Sequence, residues 1–115
     1  PDEVWAQFHF AMLLQRLGER DLAEALLRRC VDLDPAFPWF HYRLANLLVE
    51  RGRLDEARRG YERALEISPD TARFHLDLGR LLPRQGQAEL GRQHLARARE
   101  LDPLLFPAQE AECHA

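Results

Sequence analysis

The chain contains no lysine: all 16 of its basic residues are arginine. Set against 19 acidic residues they leave a formal charge of −3. A general nucleic-acid binder carries an excess of cations, so no nucleic-acid partner is expected. An all-arginine basic set points to a GC-rich bacterial genome. No apolar run approaches the ~18 residues that span a bilayer, and no signal peptide opens the sequence, so the reading is cytoplasmic with no membrane partner. The start at Pro1 rather than Met is read as the edge of a longer chain. Cysteine is scarce; Cys30 and Cys113 cannot make a disulfide framework. The sequence also lacks HExxH, CxxC, a phosphate-binding glycine loop and GxSxG, which leaves no catalytic constellation and no cofactor site. What it does have is 115 residues, 46% of them hydrophobic and 30% charged, enough for one domain with a packed core.

The strongest signal is punctuation. Gly18, Pro35, Gly52, Pro69, Gly86 and Pro103 fall 17 residues apart, glycine alternating with proline. Between them the pattern is helical, as in Phe10, Leu13, Leu14 and Leu17, then Leu22, Ala23, Leu26 and Leu27. Glycine past a helix end supplies a left-handed cap and proline cannot continue a helix interior, so six helices of about four turns are predicted. Pro38 suits a first helical position, and Asp70 or Thr71 can cap the third pair. Two units make a 34-residue period. At that offset Leu13, Leu47 and Leu81 coincide, as do Leu14, Leu48 and Leu82. Ala23, Ala57 and Gly91 form a column of small residues, and Cys30, Ala64 and Ala98 form another, where paired helices cross closely. Leu27, Tyr61 and Leu95 fill the space beside them. Arg29, Arg63 and Arg97 each precede an acid by three positions, which predicts exposed ion pairs along the second helices.

These residues resemble three tetratricopeptide repeats, over about 4–37, 38–71 and 72–105. The first-helix signature reads Phe10-Ala11-Leu14, Leu44-Ala45-Leu48 and Leu78-Gly79-Leu82. The second-helix signature reads Ala23-Leu27-Cys30-Pro35, Ala57-Tyr61-Ala64-Pro69 and Gly91-Leu95-Ala98-Pro103. The resemblance implies an all-α fold, a right-handed superhelical α-solenoid of three antiparallel helix pairs, with residues 106–115 as a partial capping helix or tail. The chain departs from the family where its usual tryptophan is Gln7, His41 and His75. Gly91 replaces an alanine, and Pro83 falls in the last turn of the fifth helix, so the third repeat is expected to be the least regular.

The resemblance further implies a concave groove lined by the first helices, in which a protein or peptide partner binds. The matching positions are Trp5, Phe8, His9 and Met12, then Trp39, Tyr42, Arg43 and Asn46, then Arg73, Leu76, Asp77 and Arg80. They lie opposite Phe10, Leu14, Leu44 and Leu48, and read as an apolar, aromatic stripe with arginines beside it. Three readings compete for the aromatic stripe: partner binding, self-association into a homo-oligomer or cover by a flanking domain, and packing between adjacent helices. Relatives that clamp the acidic C-terminus of Hsp70 or Hsp90 carry Lys, Asn, Asn, Lys and Arg at the positions held here by Phe8, Met12, Arg43, Arg73 and Asp77. Only Arg73 keeps the required charge, so that partner is not expected. The overall reading is a non-enzymatic interaction module; its rival is a regulatory or substrate-presenting arm of a larger enzyme such as a transferase. His41 and His75 read as structural or groove-lining rather than metal-binding, Cys30 as an inert core thiol, His9 and His94 as without a recognisable role, and Glu112, Cys113 and His114 as a polar tail rather than a ligand set.

Overall fold

The computed structural model of the chain describes residues 2–106. Six α-helices follow in order: α1 (Asp2–Arg16), α2 (Arg20–Leu33), α3 (Pro38–Glu50), α4 (Leu54–Ile67), α5 (Ala72–Leu81) and α6 (Ala88–Leu101). They pair as hairpins α1–α2, α3–α4 and α5–α6, and α2 packs on α3 as α4 packs on α5. The result is an elongated α-solenoid of 46 × 25 × 25 Å. No helix among the described residues is long and apolar enough to cross a membrane. The partial capping helix expected beyond Phe106, and the Glu112–Cys113–His114 cluster, lie outside the described residues.

The glycine breakers work as their spacing predicts. Gly18, Gly52 and Gly86 have φ of 83°, 78° and 79°, a region open to glycine without steric cost. The residue after each glycine donates its amide back five residues: Glu19 to Leu14, Arg53 to Leu48 and Gln87 to Leu82, each at 2.9 Å. This is the Schellman closure of a helix. At the proline joints a histidine does the equivalent. His41 Nε2 lies 2.8 Å from the Pro35 carbonyl and His75 Nε2 lies 2.7 Å from that of Pro69. A carbonyl only accepts, so both ring nitrogens donate and each imidazole ties a helix to the turn before it. Pro38 opens α3. Thr71 sits at the N-cap of α5, but its hydroxyl pairs with Ser68 Oγ at 2.5 Å rather than with a backbone amide.

The third hairpin is irregular where proline and glycine enter. Helix α5 stops at Leu81, and Leu82–Gln85 continue as a 3-10 turn, since Pro83 has no amide to donate into the α-helical ladder. Gly91 does more than lower helix propensity. A Cβ there would lie 2.9 Å from the Gly79 carbonyl oxygen and 2.9 Å from Pro83 Cδ. The Gly79–Gly91 contact therefore brings α5 and α6 closer than side chains allow.

Three apolar clusters run down the stack. Tyr42, Ala45, Leu48, Ala57, Tyr61, Ala64, Phe74, Leu78 and Leu81 form the largest. Ala11, Leu14, Ala23, Leu27 and Leu47 form the second, and Val4, Cys30 and Phe40 the third. Phe40 and Phe74 are fully buried, each contributing ~2–3 kcal/mol of apolar burial. Phe10 is a correction. Placed on the core side by its repeat position, it is 54% exposed, because no helix precedes α1 among the described residues to cover it. Of the expected ion pairs along the second helices, Arg63–Glu66 and Arg97–Glu100 form at 2.9 and 3.2 Å, while Arg29 reaches Glu3 on α1 at 3.9 Å.

Candidate functional site

The first helices line a groove of about 520 Å³. Gln15 reaches it from α1, Arg43, Asn46, Val49 and Glu50 from α3, and Arg73, Asp77 and Arg80 from α5, with Arg84 following in the 3-10 turn. Four guanidinium groups therefore meet two carboxylates in a chain whose overall charge is −3. The lining is opposite in sign to the molecule.

Two tyrosines build the floor. The Tyr42 hydroxyl donates to Asp77 Oδ2, joining α3 to α5. Burial, reinforced by that carboxylate, pushes the Tyr42 phenol up to about 12, so it stays a proton donor at neutral pH. Tyr61 reaches in from α4 and donates to Asn46 Oδ1 at 2.5 Å; burial raises its pKa as well. The Arg43 guanidinium lies 5.7 Å from the centre of the Tyr42 ring, within cation–π range. On the rim Gln15 donates to Glu50 at 3.3 Å.

The aromatic residues read from the sequence as groove-lining divide. Tyr42 is 4% and Leu76 2% exposed: Leu76 is a correction, since it belongs to the packed interior and does not line the groove, whereas Tyr42 is packed in the core and still lines it. Their repeat position falls on the seam between consecutive first helices. There Phe8 packs at a tilt on Phe40 at 5.3 Å and Tyr42 on Phe74 at 5.0 Å. Trp39 is half-buried and lies edge-on to Phe74 at 4.8 Å; Trp5 meets Phe40 at 5.6 Å and remains 42% exposed. Phe8 and Met12 are half-buried, and both pack on the second cluster. Packing between adjacent helices thus accounts for most of the rings. His9, Arg43, Arg73 and Arg80 are exposed and Asn46 is half-exposed. His9 leans on Trp5 and Phe8, away from the groove residues.

Sequence reasoning missed Arg84, Gln15, Glu50 and the Tyr61 hydroxyl. Arg84 and Glu50 share one repeat position, four residues beyond Arg80 and Asn46, and that one-turn spacing was the available signal. Nothing in the spacing marks Tyr61, whose ring fills a core column while its hydroxyl crosses to α3. His94 also has a role. Its Nδ1 lies 3.0 Å from His75 Nδ1, with the rings stacked at 5.3 Å. Because His75 Nε2 donates to Pro69, its Nδ1 accepts and His94 donates. Burial first, then His75, holds the His94 pKa below its ordinary value. Cys30 is buried with a raised pKa, caused by burial. No group of three or more metal-binding side chains occurs among the described residues.

Two family models match the chain: a TPR repeat over residues 45–86 and a tetratricopeptide repeat over residues 14–60. No curated protein matches it in sequence. Among solved structures it resembles the Yersinia enterocolitica type III secretion chaperone SycD, solved with a peptide of the translocator YopD. That match has 20% identity and a TM-score of 0.84, and covers 89% of this chain and 78% of SycD. MamA from Desulfovibrio magneticus RS-1 is 20% identical with a TM-score of 0.81, over 90% of this chain and 58% of MamA. A mutant MamA is 27% identical with a TM-score of 0.78, over 89% of this chain and 74% of that one. The chain spans about three-fifths of the length of the first MamA structure it matches.

Proposed function

The chain belongs to the tetratricopeptide repeat family, and from that premise we propose that it is a protein-interaction module whose groove takes an extended, acidic segment of a partner protein. One observation carries the reading: Arg43, Arg73, Arg80 and Arg84 gather on one lining while the chain as a whole is acidic. Guanidinium groups pair with carboxylates through two parallel hydrogen bonds, so a patch of them favours Asp or Glu side chains over apolar ones. The fixed Tyr42–Asp77 and Tyr61–Asn46 pairs support the floor on which such a segment lies. SycD, a fold relative solved with a peptide, supports a peptide as the occupant. The aromatic stripe supports it less, since most of its rings pack between adjacent helices. A chaperone C-terminus is a poor fit, because Phe8, Met12, Arg43 and Asp77 stand where the relatives that clamp it carry Lys, Asn, Asn and Arg.

The test is fluorescence anisotropy with a panel of labelled acidic peptides against their Gln/Asn counterparts. Acidic members are expected to bind, more weakly as salt rises from about 50 to 300 mM. Arg73→Ala is expected to weaken binding by roughly 10-fold or more, the worth of one charge-assisted contact. Equal binding of the neutral counterparts, or no change in Arg73→Ala, overturns the reading. Trp39→Ala is the wrong probe, because removing that ring also unpacks α3 from α5.

A further inference from the structure

The groove carries both signs of charge, and its two carboxylates stand in different surroundings. Glu50 accepts from Gln15 at 3.3 Å and lies 3.8 Å from Arg20, so a cation of the chain already answers it. Asp77 is held at Oδ2 by the Tyr42 hydroxyl, a neutral donor, and no ion pair joins it to a cation among the described residues. A relay across three helices fixes that carboxylate in place. Tyr61 of α4 donates to Asn46 of α3, Asn46 bonds to the Tyr42 hydroxyl, and Tyr42 donates to Asp77 of α5. Arg73 lies one turn before Asp77 on α5, Arg84 follows in the 3-10 turn, and Arg43 faces them from α3. The lining therefore reads positive, negative, positive, and its negative group is rigid.

We infer that Asp77 is the specificity-determining residue of the groove, taking one basic side chain set between acidic residues of the bound segment. The inference rests on the reading of the groove as a site for an acidic segment, and adds the order of charges along it. A segment laid over the floor strips water from Asp77, and a carboxylate that loses water without a counter-charge is costly. An acidic side chain at that point adds like-charge repulsion, by which interfaces reject wrong partners. A main-chain amide satisfies a lone pair but leaves the charge unmatched. A lysine or arginine of the segment matches it, through the Oδ1 that the Tyr42 bond leaves open. The guanidinium groups of Arg43, Arg73 and Arg84 then take the acids on either side. Attraction by net charge alone favours the most acidic segment, whereas recognition by Asp77 favours one with a cation at a single place.

A lysine scan of a labelled, glutamate-rich peptide of about nine residues, ~30 Å long when extended, tests this by fluorescence anisotropy at fixed salt. Each position is replaced by Lys in turn. With wild type, one position is expected at which Lys tightens binding by about 10-fold over the all-acidic parent, the worth of one charge-assisted contact. Asp77→Asn keeps an acceptor for the Tyr42 hydroxyl and is expected to abolish that preference. Asp77→Arg is expected to reverse it, so that the parent binds more tightly than every Lys variant. Circular dichroism melts check that both proteins keep the fold; Asp77→Asn alone decides the matter if Asp77→Arg does not. A parent that binds wild type while Lys weakens it at every position overturns the inference and leaves the acidic-segment reading standing. So does a Lys preference that Asp77→Asn preserves, because another group then takes the cation. Failure of the parent and of every Lys variant to bind overturns both.

Discussion

Gly91 shows how a single position can reverse its sequence-based reading. By helix propensity, Gly91→Ala gains up to about 1 kcal/mol. In the fold the added methyl meets the Gly79 carbonyl and the Pro83 ring at 2.9 Å, and neither is a flexible side-chain end. Overpacking of this kind costs ~1–3 kcal/mol. Gly91→Ala is therefore expected to lower the urea midpoint, and an unchanged or raised midpoint contradicts the close crossing of α5 and α6. His94 makes a pH-dependent case. Its folded pKa lies below the unfolded value of 6.5, through burial first, then His75 and Arg58, with Glu62 opposing. Between the two values the unfolded chain binds more protons, so stability is complete above about pH 6.5 and falls as pH drops toward the folded value. Urea midpoints at pH 7.5 and 5 are expected to differ more in wild type than in His94→Gln.

At the scale of elements, the joints carry chemistry that helical periodicity does not reveal. Glu24 on α2 is 12% exposed and binds Arg28 on its own helix at 3.0 Å, Arg51 at 3.1 Å and Arg53 at 2.9 Å on either side of the α3–α4 turn. Burial alone raises its pKa, but Arg28, Arg53 and Arg51 outweigh it and hold the carboxyl below the usual range. Exposed pairs are worth little, yet one carboxylate shared by three guanidinium groups is a partly buried network. Glu24→Ala takes one carboxylate from Arg51, itself 23% exposed, and leaves it to the exposed Asp21 at 2.6 Å. A loss of about 1–3 kcal/mol is expected, read as a lower thermal midpoint. Helix boundaries were legible because glycine and proline mark them. The end of α5 was legible too, from Pro83. The histidine ties from His41 and His75 to their preceding turns were not, since six residues of sequence separation carry no helical signal.

Over the whole molecule, stability follows serial order. Each hairpin touches only its neighbours, so protection rises from the ends toward the middle. Helices α3 and α4 are packed by a hairpin on both sides, whereas α1 leaves Phe10, Leu13 and Leu17 in solvent. Amide hydrogen exchange is expected to be slowest in α3 and α4 and several-fold faster in α1. Uniform exchange across the six helices contradicts the serial picture. The fold class, the helix order and the small-residue columns follow from the residues themselves, because a 34-residue period with alternating breakers admits few other chain paths.

The sequence by itself determined how many helices form, where they end and which faces seek cover, since capping chemistry and hydrophobic spacing are local properties. Only the tertiary structure decided which apolar residues obtained that cover. Phe8, Trp39 and Tyr42 share the composition of a binding stripe, yet consecutive first helices approach closely enough to absorb much of their surface. Phe10 has the spacing of a core residue and is left in solvent. Burial depends on which helix lies alongside, and that is a relation between residues distant in the chain. The arginine lining and the exposure of Phe10 were both decided there.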